Sequence, residues 1–326
     1  KGTFEFHSGA IYTGFWSEGR MCGSGNYSFS GNVYEGEWLD SQKHGRGVLR
    51  AASGETYEGE WFENLPNGTG VLTYHDGSSF TGTFKEGLFL SGTISWTNGD
   101  TYTGDFAQGL YTGSGALKTA SGSCYTGDFR DGLFHGSGTL QLASGFSYKG
   151  QWRNGTRTGS GSLQQSDGSS YDGEFANDKF HGKGRFTRVD GVVYDGKYSE
   201  GRKEGTGVVT TLAGVRYAGK WKNDLPHGKG ELTMPTGDSY SGQWKEGKPD
   251  GVGVLVRSGV KYDGSWNEGR LDGKLTLTVP QLPPMRIVAR SSSDLSVQVP
   301  SHPNPVFIDL SPSLPWFDTL IAFRCY

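Results

Sequence analysis

The sequence predicts an all-β protein: an elongated single-layer antiparallel sheet of tandem hairpins, followed by an irregular C-terminal tail. Three observations predict it. An aromatic-x-Gly-x-aromatic motif occurs twelve times, from Tyr12–Trp16 to Tyr262–Trp266, at steps of 23 residues (eight times) or 22 residues (three times). All 55 glycines fall in the frame of that motif, with Gly2 assigned to a cut-off earlier repeat. No segment shows a helical period. Glycines placed for flexibility would drift along the chain, whereas these are held by backbone geometry.

With the first aromatic numbered 0, positions 0, +2 and +4 point to one face of a strand. Positions +9, +11, +13 and +15 do the same on a second strand, and +15 is apolar throughout, as at Leu49, Leu117 and Leu232. Glycine stands at +2 and −3 in every repeat and at +7 in eight of twelve, the exceptions being Ser41, Asn64, Asp178 and Asp224. Gly or Asn/Asp at +7 supplies the positive φ of a hairpin turn. A second turn holds the −3 glycine, as in Asp76-Gly77 and Asn98-Gly99. A single sheet has no second layer to bury its aromatic face. The +2 glycines are therefore expected to leave slots in which rings of adjacent repeats lie flat, so that substitution there hurts.

Residues 1–278 form this array, with a partial repeat at the N-terminus, and two strands per repeat make about 24 strands. Residues 279–326 form a Pro-rich extended tail. From Lys274 onward there is no glycine, but eight of the twelve prolines. Beyond Pro280 the chain is expected to leave the sheet, because proline cannot donate to a ladder. The 13% aromatic content excludes simple disorder, and glycine does not fall at every third residue as in collagen. A formal net charge of −3 offers no attraction to nucleic acid. No apolar run approaches the roughly 18 residues of a membrane-spanning helix. Cys22, Cys124 and Cys325 are too few for a disulfide framework.

Tyr34-Glu35-Gly36-Glu37-Trp38 and Leu225-Pro226-His227-Gly228-Lys229-Gly230 resemble the consensus of the MORN (membrane occupation and recognition nexus) repeat, and the likeness spans about residues 1–278. The resemblance implies a rigid β rod acting as a non-enzymatic scaffold or adaptor in a ciliary, flagellar or other cytoskeletal assembly. It implies partner proteins of a large assembly, a helix or peptide in the aromatic groove, or a homodimer. By the same analogy the location is cytoplasmic, in the cytoskeleton or the axoneme. The alternatives are a membrane-associated phospholipid-contacting tether and a regulatory module of a larger enzyme.

No catalytic constellation emerges, and no cofactor or metal site is expected. His44, His135, His181 and His227 recur at +10, at least two repeats apart, so one zinc ion cannot draw two of them together. They read as turn-end residues that hydrogen-bond the hairpin. The Gly-x-Gly pairs lack the lysine of a phosphate-binding loop. Carboxylates at +1 and +3 (Glu35, Glu37, Glu58, Glu60, Asp172, Glu174) read as a solvated outer face. Basic turns at Thr156-Arg157 and Arg202-Lys203 are isolated, where lipid attachment wants about 4–8 clustered cations. Position +9 is apolar in nine repeats and shares the aromatic face; it reads as core extension or as a partner stripe. Successive turns carry Leu88-Phe89, Leu110-Tyr111 and Leu133-Phe134. The candidate groove residues are Phe84, Phe89, Phe106, Tyr111, Phe129, Phe134 and Phe180. The candidate docking residues of the tail are Phe307, Trp316, Phe317 and Phe323.

Overall fold

The computed structural model describes residues 1–280, 285–288, 296–297 and 306–307. It is all-β, with no helix among the described residues. The chain divides into two compact units, residues 1–157 and 158–326. Within each, the strands of the repeat array form an open antiparallel meander in which every strand pairs with its sequence neighbour. The register follows the repeat. In the first unit Tyr34 faces Leu49, Gly36 faces Gly47 and Trp38 faces Lys43. In the second, Tyr217 faces Leu232, Gly219 faces Gly230 and Trp221 faces Pro226.

The first turn of each hairpin is two residues long, and both are left-handed: φ is 50° at Glu18 and 76° at Gly19, 48° at Asn223 and 67° at Asp224. Such a turn carries the twist that flanking strands need. Position +6 is thus left-handed as well as +7, although it is never glycine. The turn also fastens to the preceding hairpin: Gly132 N–H donates to the Tyr111 carbonyl at 2.9 Å. Where +7 is not glycine, its side chain accepts from the preceding +9 N–H. Asn64 Oδ1 accepts from Lys43 N at 2.9 Å, and Asp224 Oδ1 from Lys203 N at 2.8 Å. Pro66, Pro226 and Pro249 have no N–H to donate, and the turns that follow them carry Gly87, Gly247 and Gly269.

The +11 glycine marks a bulge. Gly45 has φ 58°, and the register jumps from Gly36–Gly47 to Glu37–His44, leaving Gly45 and Arg46 unopposed. The +3 carboxylate closes the gap: Glu37 Oε1 accepts from Arg46 N at 3.2 Å, Asp128 Oδ2 from Ser137 N at 3.0 Å, and Glu174 Oε1 from Lys183 N at 3.0 Å. Glu37 and Glu174 are therefore fasteners of the bulge, not members of a merely solvated face. At the C-terminal end, the chain does not leave the sheet for good at Pro280. Met285–Val288 returns antiparallel to Arg270–Thr278, pairing Met285 with Leu277 and Val288 with Lys274. This short proline-free segment covers an edge that would otherwise present a row of unpaired backbone groups.

Candidate partner-binding face

The ring face is built from three positions per hairpin. The position-0 ring lies over the two glycines of its own repeat. A Cβ added at Gly127 or Gly138 would come under 3.0 Å from the Tyr125 hydroxyl. That hydroxyl donates to the Asp128 carbonyl at 3.0 Å, and Tyr34 and Tyr217 donate likewise to the carbonyls of Glu37 and Lys220, each at 3.0 Å. The slots therefore receive the ring of the same repeat, not of a neighbour, and Phe80, which has no hydroxyl, lies over Gly82 and Gly92 in the same way. Burial, reinforced by the charges of Glu60 and Asp105, pushes the phenols of Tyr57 and Tyr102 up to about 12.

The +4 ring stands edge-on between two position-0 rings, its own and the preceding one. Trp61 lies 5.0 Å from Tyr57 and 5.2 Å from Tyr34, at interplanar angles of 86° and 83°. Each such pair adds about 0.5–1.5 kcal/mol beyond area burial. Indoles at +4 also donate to the preceding repeat's +13 carbonyl, as Trp61 Nε1 does to Gly47 O at 3.1 Å.

The +9 residue lies over the position-0 ring as a lid. Phe89, Tyr111, Phe134 and Phe180 stack face to face on Phe80, Tyr102, Tyr125 and Tyr171, with centroids 4.0, 3.8, 3.7 and 3.8 Å apart. Cations do the same work elsewhere. Lys203 Nζ stands 5.2 Å from the Tyr194 ring and 5.3 Å from Trp221, and Arg157 stands 5.6 Å from Tyr148. These two cations, from the basic turns noted in the sequence, thus lie on rings, and Lys203 is only 3% exposed.

The seven groove candidates fall into two groups. Phe84, Phe106 and Phe129 occupy +4 and are 2%, 4% and 4% exposed, wedged inside the ring layer. Phe89, Tyr111, Phe134 and Phe180 occupy +9 and are half-buried, each with one ring face on its stacking partner. A linkage between the groups was readable in the sequence. Wherever +4 is Phe, +9 is an aromatic ring; wherever +4 is Trp or Tyr, +9 is Met, Lys, Arg, Pro or Leu. Positions +4 and +9 pair across the hairpin, as Phe129 does with Phe134, so they share one space. A smaller +4 ring leaves room for a stacked +9 ring.

In the tail, Trp316, Phe317 and Phe323 lie outside the described residues. Phe307 is described only as backbone, in a strand Val306–Phe307 paired with Ser296–Val297. Of the +10 histidines, His135 Nδ1 accepts from Asn154 N at 3.5 Å, His44 packs 5.3 Å from the Phe62 ring, and His181 Nδ1 is buried without a hydrogen-bond partner. Among the described residues, no group of three or more His, Cys, Asp or Glu is placed to hold a metal.

Tandem hairpins that pack their own rings onto one face of an open sheet define a β-repeat protein. The chain belongs to the MORN-repeat family: the model of that repeat matches residues 12–32, 34–56, 57–79, 102–124, 125–146, 148–170, 171–193, 194–210, 217–239, 240–258 and 262–274. The hairpin at 80–101 is unmatched, and it is the repeat without the +11 glycine, although Phe80, Phe84 and Phe89 form the same ring cluster. A stretch of 41 residues is 54% identical to Alsin from human and from mouse, covering 12% of this chain but only 2% of Alsin's length. Among solved structures, the SAS-4 (dCPAP) TCP domain of Drosophila melanogaster, in complex with a proline-rich motif of Ana2 (dSTIL), is 12% identical. That alignment covers 54% of this chain and 90% of that one, at a TM-score of 0.30. The wild-type TCP10 domain of Danio rerio CPAP, in complex with a STIL peptide, is 10% identical over 86% of this chain and 99% of that one, at a TM-score of 0.20. Both structural likenesses are too distant to bear on function.

Proposed function

We propose that this protein is a non-enzymatic scaffold that docks partner proteins on its ring face, within a large assembly such as a cilium, a flagellum or another cytoskeletal array. The observation that carries the docking reading is the row of half-buried +9 rings. Phe89, Tyr111 and Phe134 recur in three successive hairpins, each held flat by a stacked partner. Pre-ordered aromatic surface loses little side-chain entropy on binding, which is why rings serve as anchors. The cytoskeletal setting is supported by the family resemblance alone. A lipid-binding role draws less support, because Arg157 and Lys203 lie over rings.

The test is affinity capture of the tagged chain from ciliated cells, beside a variant carrying Phe89→Ala, Tyr111→Ala and Phe134→Ala, with sedimentation of anionic vesicles in parallel. The expected result is a set of axonemal or other cytoskeletal proteins held by the parent chain and lost from the folded variant, without vesicle binding. Partners that ignore the triple substitution, or robust vesicle binding without protein partners, would overturn the reading.

A further inference from the structure

Matched hairpins of the two units differ in burial on the ring face. Lys43 and Lys203 stand at +9 in the same setting. Lys43 Nζ lies 5.2 and 4.9 Å from the rings of Tyr34 and Trp61, and Lys203 Nζ 5.2 and 5.3 Å from those of Tyr194 and Trp221. Lys43 is half-buried, yet Lys203 is buried. Pro66 pairs with Trp61 as Pro226 does with Trp221 and Pro249 with Trp244; Pro66 is half-buried, and the other two are buried. At +15, Leu49, Leu72, Leu117 and Leu140 are half-buried, while Val209, Leu232 and Leu255 are 1%, 0% and 5% exposed. The turn glycines show the same contrast. A Cβ at Gly87 would stand 3.9 Å from Leu65 Cδ2 and 4.0 Å from Pro66 Cδ, and one at Gly247 3.7 Å from Leu225 Cδ2 and 4.0 Å from Pro226 Cδ. Gly87 is exposed and Gly247 is buried. Equal residues in equal hairpins with unequal burial require cover from outside the hairpins, over the ring face from Tyr194 to Trp266.

We propose that the cover is this chain's own Pro-rich tail, residues 289–326, folded back over the ring face of the second unit. Chain beyond the array is residues 279–326, and it falls in the same compact unit as these hairpins, 158–326. Met285–Val288 pairs beside the last hairpin, so the tail starts at the end of the covered stretch. Four hairpins at about 9.6 Å each span about 38 Å. The 38 residues that follow Val288 reach about 118 Å at roughly 3.1 Å per residue, enough to cross that face and return. The chemistry matches. Five prolines need no ladder partner for their nitrogens, and Pro-rich segments pack in ring-lined grooves. Leu314, Trp316, Phe317, Leu320, Ile321 and Phe323 supply apolar surface that gains by leaving water. A terminal segment of this kind caps an array whose ring face has no second layer. The contact stands apart from partner docking, because Phe89, Tyr111 and Phe134 belong to the first unit.

The test is acylation of lysines on the purified full chain, read by mass spectrometry, with Lys43 as internal standard. The parent chain is compared with a full-length variant carrying Phe307→Ser, Trp316→Ser, Phe317→Ser and Phe323→Ser. A face open for less than about a tenth of the time slows labelling by about tenfold or more. Lys203 should therefore react about tenfold or more slowly in the parent than in the variant, with Lys43 labelling and the circular dichroism spectrum unchanged. Lys203 labelled in the parent as fast as Lys43, or still protected in the variant, overturns the proposal. Protection that fades on dilution from about 100 to 1 μM would place the tail of a second copy there, and overturns the intramolecular contact.

Discussion

A glycine inside a strand normally weakens it, having no side chain to pack and more freedom to lose. At +2 and +13 the balance is reversed, because a Cβ there would meet atoms that cannot step aside. At Gly127 those atoms are the Gly138 Cα and the Ser137 carbonyl, both under 3.0 Å, with the Tyr125 hydroxyl beside them. Thr126, one residue earlier, points to the exposed face opposite Thr139. Gly127→Val should therefore destabilise by about 3 kcal/mol or more, and Thr126→Val by no more than about 0.5 kcal/mol. Urea unfolding of the two variants measures the difference, and equal midpoints would mean that the faces are assigned wrongly. Parity alone made the slot visible in the sequence. It could not say whose ring fills the slot, since that depends on a side-chain torsion, which Phe80 adopts over Gly82 and Gly92 even without a hydroxyl to bond the +3 carbonyl.

Within one hairpin, the pairing of +4 with +9 makes two positions act as one volume. Replacing Phe129 by Trp puts an indole where Phe134 already stacks on Tyr125 at 3.7 Å, and should lower stability by about 1–3 kcal/mol. Adding Phe134→Pro recreates the combination found at Trp221 with Pro226, and should recover most of that loss. Thermal melts of both single variants and the double complete a cycle; simple additivity would sink the shared-volume argument. The hairpin itself was legible from alternation and from the +7 glycine. The bulge at +11 was not, because a two-residue bulge preserves parity: +9 stays on the ring face whether the strand is regular or bulged. Its trace was the glycine at +11 combined with acids at +3, which only the register of Glu37 with His44 connects. The returning strand Met285–Val288 was missed for a different reason. The surrounding prolines pointed to extended chain, and four residues are too short for alternation to register against them.

Across the molecule, one chemical group is repeated in the same environment. Tyr12, Tyr34, Tyr57, Tyr102, Tyr125, Tyr171, Tyr194, Tyr217 and Tyr240 all stand at position 0, and burial raises every one of their phenols above the ordinary value of 10.0. An unfolded chain releases those protons near pH 10, while the folded chain keeps them, at Tyr57 and Tyr102 until about 12. In that window the unfolded state binds fewer protons than the folded state, so stability falls as pH rises. The stabilisation is fully present below pH 10 and disappears as pH climbs through the folded values. Melting temperature should accordingly hold steady from about pH 8 to 9.5 and then drop steeply. Far-ultraviolet circular dichroism followed beside tyrosinate absorbance checks this, and the two signals should move together. Tyrosinate appearing near pH 10 over an intact β spectrum would show that the rings are open to solvent. Phe80 indicates the control, since position 0 accepts a phenyl ring at 0% exposure. Tyr102→Phe and Tyr125→Phe together forfeit the hydrogen bonds to Asp105 and Asp128, so they should lower stability at neutral pH. They should also shift the alkaline transition upward, and a variant that unfolds at the same pH as the parent chain would assign alkaline loss to some other group.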